Sequence, residues 1–129
     1  MSKKSVLLVD DDAVFLDAAS AILESRFEVR TAANGKEALT ALEQALPDAV
    51  VLDVMMDHIA EGYDVARQIK QNPRTRDIPI IMLTGVDEVY KYRLSVEDAS
   101  APHDYYLEKP VKPQKLLAVL EEATRDAGS

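Results

Sequence analysis

Short apolar runs alternate with stretches of helical spacing along the whole chain. The runs are Val6–Val9, Phe27–Ala32, Ala49–Leu52, Ile78–Leu83 and Tyr105–Leu107, each rich in β-branched residues or tyrosine. The first, third and fourth are almost continuously apolar, the pattern of strands buried on both faces. The second and fifth are shorter or more mixed, as edge strands tend to be. Between the runs, Val14, Phe15, Ala18, Ala19, Ile22 and Leu23 line one face of a first helix. Ala38, Leu39, Leu42 and Leu46 line a second, and Val65, Ala66 and Ile69 a third that ends near Asn72-Pro73. A fourth helix is expected within 87–99. A fifth begins around Pro113, a favoured first-turn residue, and runs through Leu116, Leu117 and Leu120.

Strand and helix alternating in this way predict an α/β fold, a doubly wound parallel sheet covered on both faces. For five strands the order 2-1-3-4-5, the flavodoxin-like arrangement, fits best. At 129 residues the chain is expected to be one domain with its core over about 5–125. After Lys109 there is length for one helix and a tail, so no output domain is expected. A composition of 47% hydrophobic and 29% charged residues places the chain among globular proteins and outside the disordered class. The net charge of −8 argues against non-specific binding to nucleic acid. With no cysteine, disulfides, thiolate metal sites and cysteine nucleophiles are excluded. The opening apolar run is too brief for a signal peptide and nothing approaches the length of a membrane span, so a cytoplasmic protein is expected.

In a sheet of this kind ligands bind beyond the carboxyl ends of the strands. The residues that follow the apolar runs are Asp10, Asp11 and Asp12 after the first, Asp53 after the third, Thr84 after the fourth and Lys109 after the fifth. Grouped carboxylates repel one another unless a cation lies among them, and Mg²⁺ prefers oxygen ligands. A carboxylate is also a nucleophile towards a phosphoryl group, and phosphoryl transfer is helped chiefly by positioning and charge neutralisation, which a metal, a lysine and a hydroxyl supply. Taken singly these residues have plain structural explanations. Asp12, which directly precedes the first helix, is the natural N-cap.

Four segments in order resemble the receiver domain of response regulators. They are Val6-Leu-Leu-Val-Asp-Asp-Asp12, Val51-Leu-Asp-Val-Met-Met56, Ile80-Ile-Met-Leu-Thr84 and Tyr106-Leu-Glu-Lys-Pro110. The resemblance spans essentially the whole chain and implies a stand-alone phosphoacceptor of a two-component pathway, with Asp53 as acceptor. It implies that Mg²⁺ is held by the Asp11 and Asp53 carboxylates and the Met55 backbone carbonyl, with Asp10 assisting through water. Lys109 and Thr84 would hold the phosphoryl oxygens, beside the Gly85 N–H. Thr84 and Tyr106 would form the switch, and the peptide bond before Pro110 is expected to be cis. The donor would be a phosphohistidine of a sensor kinase or a histidine phosphotransfer protein. The surface around the fourth helix, fifth strand and fifth helix would then act on a partner protein in trans. Neither nucleic acid nor membrane is an expected direct partner, and the chain is expected to be a monomer or a weak phosphorylation-dependent dimer. It would catalyse only its own phosphorylation and dephosphorylation. Because Met55 and Val86 cannot hydrogen-bond an attacking water, slow self-hydrolysis is expected.

The chain departs from the receiver pattern at Asp57, where proline is usual, and at Gly62, one position late. It also departs at Gly85, where alanine is usual, and in the long segment before the fifth strand, with Ser100-Ala-Pro-His-Asp104. Two other functions compete. One is a receiver-like interaction module that is not phosphorylated. The other is a phosphatase resembling the haloacid dehalogenase family, with Asp10 as nucleophile and Asp12 as general acid.

Overall fold

The computed structural model describes residues 3–53, 59–84, 105–108 and 111–125. Strands β1 (Lys4–Val9), β2 (Phe27–Ala32), β3 (Ala49–Asp53), β4 (Ile80–Thr84) and β5 (Tyr105–Glu108) form one sheet in the order β2-β1-β3-β4-β5. Every pairing is parallel. Helices α1 (Ala13–Leu23), α2 (Gly35–Gln44) and α3 (Ile59–Gln71) and a C-terminal helix (Pro113–Arg125) complete the described elements. The expected class and strand order are both present, with β2 and β5 at the edges. The expected fourth helix lies outside the described residues.

Because strand side chains alternate between faces, each central strand feeds two cores. Leu7, Val9, Val50, Leu52, Ile80 and Met82 pack with residues of α2 and α3 on one side. Val6, Leu8, Ala49, Val51, Ile81 and Leu83 pack with α1 and the C-terminal helix on the other. All twelve are buried. This is why β1, β3 and β4 read as unbroken apolar runs rather than as alternating ones.

Four details differ from the sequence reading. Ala18, expected on the buried face of α1, is exposed. Val14 does not join the buried face of α1 and is 78% exposed. That face is centred instead on Ala19 and Leu23, with Phe15 and Leu16 partly buried against them, a stripe spaced by three and four residues. Leu46 is 45% exposed, because α2 stops at Gln44 and Ala45 already takes an extended backbone. Ile78 is buried but precedes β4. Its N–H donates to the Thr75 carbonyl in a turn, and the ladder starts after Pro79, whose carbonyl accepts from Val50 N–H.

The helix ends explain their own sequences. Asp12 caps α1, its Oδ1 accepting from the N–H groups of Val14 at 3.0 Å and Phe15 at 3.2 Å. Asn34 caps α2 by accepting from Glu37 N–H, while Glu37 accepts in turn from Ala33 N–H, a close variant of the reciprocal capping box. Arg30 reaches across from β2 to the Ala41 and Ala45 carbonyls at the far end of α2. Among the described residues no helix is long and apolar enough to cross a membrane.

Candidate functional site

The carboxyl edge of the sheet is set by register. β1 pairs with β3 with Val9 opposite Leu52, so the residues one step further, Asp10 and Asp53, emerge side by side. Asp10 and Asp53 are each only 1% exposed, while Asp11 next to them is exposed. One carboxylate oxygen from each of Asp10, Asp11 and Asp53 lies within 4.8 Å of the others. At such separations two unit negative charges repel by roughly 3 kcal/mol at an effective dielectric near 20. Burial sharpens that cost, and it calls for positive charge at this edge.

The donor set fits a hard divalent cation. Opposite corners of a magnesium octahedron are about 4.2 Å apart, so oxygens spread over 4.8 Å close on the ion with small shifts or with a water in one arm. All donors are oxygens, which suits Mg²⁺ and not the softer metals that favour thiolate or imidazole.

Asp10 is held at both its main chain and its side chain. Its N–H donates at 3.0 Å to the carbonyl of Ala32, the last paired residue of β2. Its Oδ1 accepts from Asp12 N–H at 2.9 Å. Neither the Ala32 carbonyl nor the Asp12 amide was singled out from sequence. The Asp12 amide was detectable in principle, since an aspartate two residues before an N-cap often accepts from that residue's N–H. Asp12 itself proves to be the structural N-cap, and its carboxylate engages the α1 amides, which leaves it ill placed as the general acid of the phosphatase alternative.

The other expected site residues divide by position. Thr84 is the last residue of β4, paired with Glu108, and Tyr106 lies in β5 opposite Met82. Thr84 therefore sits in the strand bordering β3 on the side away from β1, and Tyr106 one strand further out, in the edge strand β5. Met55, Gly85, Lys109 and Pro110 lie outside the described residues, as do Asp57, Val86 and the segment 100–104.

The model of the response regulator receiver domain family matches residues 6–121. The chain belongs to this family. Its curated relatives include the probable transcriptional regulator ycf27 of Pyropia yezoensis, 38% identical over 97% of this chain and 49% of that protein. Another is the phosphate regulon transcriptional regulatory protein PhoB of Pseudomonas aeruginosa, 33% identical over 99% of this chain and 55% of that protein. The chain thus spans about half the length of these relatives. Among solved structures, a CheY-like response regulator receiver domain protein from Methanospirillum hungatei superposes with a TM-score of 0.81 at 30% identity, covering 98% of both chains. The receiver domain of NtrX from Brucella abortus gives 0.79 at 26% identity over 95% of this chain and 99% of that one. This chain is a receiver domain of the two-component type, and its acidic group lies within the matched region.

Proposed function

We propose that the protein accepts a phosphoryl group on Asp53 from a phosphohistidine of a sensor histidine kinase or a histidine phosphotransfer protein. The observation that carries this reading is the grouping of Asp10, Asp11 and Asp53 within 4.8 Å at one sheet edge, inside the region matched to the receiver family. An Asp53 carboxylate oxygen attacks phosphorus while the phosphorus–nitrogen bond breaks, its electron pair returning to the imidazole, which then takes a proton. Asp11 and Asp53 through carboxylates, and Met55 through its carbonyl, are the residues that would hold Mg²⁺, with Asp10 reaching it through water. When bound, the ion neutralises charge on the transferring group. Lys109 and Thr84 hold the phosphoryl oxygens with the Gly85 N–H, and the peptide bond before Pro110 is expected to be cis. The chain in this reading promotes its own phosphorylation and dephosphorylation and no other reaction.

Movement of Thr84 towards the phosphoryl group, followed by Tyr106, transmits the change to the surface around β5 and the C-terminal helix. A separate protein in the cytoplasm reads that surface, with the chain monomeric or weakly dimerised by phosphorylation and with no direct hold on nucleic acid or membrane. The packing of the described helices against the two faces of one sheet supports treating residues 1–129 as one receiver unit.

The test is to incubate wild type and Asp53→Asn with acetyl phosphate and Mg²⁺ and measure intact mass. One phosphoryl group is expected on wild type alone, and none once Mg²⁺ is chelated. Absence of any adduct under conditions that preserve acyl phosphates would favour a phosphate-independent interaction module. Turnover that depends on Asp10 but survives Asp53→Asn would favour a phosphatase.

A further inference from the structure

We propose that Asp12 is a positioning residue for the acidic group, acting through its backbone amide and through the geometry of its cap rather than through its charge. The inference rests on the reading that Asp10, Asp11 and Asp53 hold Mg²⁺.

Four hydrogen bonds make three links in series. The Val14 and Phe15 amides donate to Asp12 Oδ1 at 3.0 and 3.2 Å, which holds Asp12 in the extended backbone it needs as N-cap, with φ −92° and ψ 101°. In that conformation Asp12 N–H donates to Asp10 Oδ1 at 2.9 Å. Asp10 N–H in turn donates to the Ala32 carbonyl at 3.0 Å, which fixes the main chain from which the carboxylate projects. The terminal torsion of an aspartate is broad and roughly two-fold, so burial alone does not decide where each oxygen points. Repulsion from Asp11 and Asp53 would swing the Asp10 carboxylate away from the group. Anchoring Oδ1 on the Asp12 amide settles the rotation and with it the direction of Oδ2.

The cap, not the charge, is the operative property because Asp12 is exposed and an exposed charge is screened by solvent and salt. Asparagine and serine cap helices about as well as aspartate, whereas alanine does not. The same position therefore separates the two explanations.

The experiment titrates wild type, Asp12→Asn, Asp12→Ser and Asp12→Ala with MgCl₂ alone by calorimetry, with thermal unfolding of each followed in parallel. Losing an outer-shell partner of a metal site typically weakens affinity by about tenfold or more. Asp10, reaching the ion through water, is such a partner, and a loss of about that size is expected when Asp12→Ala releases its carboxylate. Asp12→Asn and Asp12→Ser are expected to stay close to wild type. Equal weakening in all three variants would overturn the proposal in favour of charge. Wild-type affinity in Asp12→Ala, with only its unfolding temperature lowered, would overturn it in favour of a cap and nothing more. Hydrogen exchange of the amide at position 12, measured without Mg²⁺, is a second readout. It is expected to be slow in wild type, Asp12→Asn and Asp12→Ser and fast in Asp12→Ala, and unchanged exchange in Asp12→Ala also overturns the proposal. If wild type binds no Mg²⁺, the receiver chemistry fails, and the exchange arm still decides the positioning role.

Discussion

Asp48 and Asp53 stand at opposite ends of the same strand and do opposite things. Asp48 sits just before β3, where its carboxylate accepts from Ser5 N–H at 2.7 Å and its own N–H donates to the Ser5 carbonyl at 2.8 Å. It is a staple between β1 and β3, with its acceptor capacity directed at backbone. Asp53 closes β3, is almost wholly buried, and lies among other carboxylates. The rest of each edge repeats the contrast. At the amino edge Lys4 donates to the Thr124 carbonyl of the C-terminal helix and Lys3 to the Glu24 carbonyl, whereas at the carboxyl edge the described residues bring three carboxylates together. In a parallel sheet every strand points the same way, so one edge can be given to holding the fold and the other to chemistry. The residue type does not decide which; the end of the strand does.

The comparison can be broken with three measurements. The largest effect expected is from the ligand. Mg²⁺ at a hundredfold excess over its Kd should stabilise wild type by ~2.7 kcal/mol, and this gain should vanish in Asp53→Asn yet persist in Asp48→Asn, as read by chemical denaturation. A gain that survives Asp53→Asn would place the cation elsewhere. Next, Asp48→Ala should cost about 1–3 kcal/mol of stability, the range for removing the acceptor from a partly buried amide, while phosphoryl uptake from acetyl phosphate stays at the wild-type level. Loss of uptake in that well-folded variant would show that the two ends are not separable. The smallest effect should come from Arg26, whose ion pair with Glu121 at 2.6 Å joins exposed side chains near the same amino edge. Arg26→Ala should change stability by roughly 0.5 kcal/mol or less. A larger loss would mean that this edge relies on surface charge and not on its backbone staples.

Much of this was legible in the sequence because burial on both faces leaves an unmistakable trace. The runs in β1, β3 and β4 declared the central strands, and the mixed run Phe27–Ala32 declared an edge with its observed bounds. The acidic group was legible too, since Asp10, Asp11 and Asp53 directly follow runs that the topology places side by side. What escaped notice depended on backbone detail. Ile78 is as apolar as its neighbours, and only the turn at Thr75 and the missing N–H of Pro79 keep it out of the ladder. Val14 carries the right residue type for a buried helix position, but a spacing of three and four residues from Ala19 and Leu23 selects Phe15 and Leu16 instead. Leu46 falls past the end of its helix, where apolar periodicity no longer has meaning. The Asp12 amide leaves only an indirect sign, the aspartate two residues before it that accepts from it.

The register of β1 against β3 carries a consequence for how the molecule comes into being. Neither Asp10 nor Asp53 has the other for a neighbour in sequence; they meet only when Val9 docks opposite Leu52. Sheets built wholly of such distant pairings tend to form slowly, because loop closure must come before the contacts that reward it. A one-residue slip would also turn the alternate faces of β3 towards the wrong helices. The acidic group therefore does not exist while the nascent chain is still assembling, and under the proposed function a kinase would meet a substrate only once the central strands have found their alignment. In that reading, competence to signal would arrive with the fold and not before it.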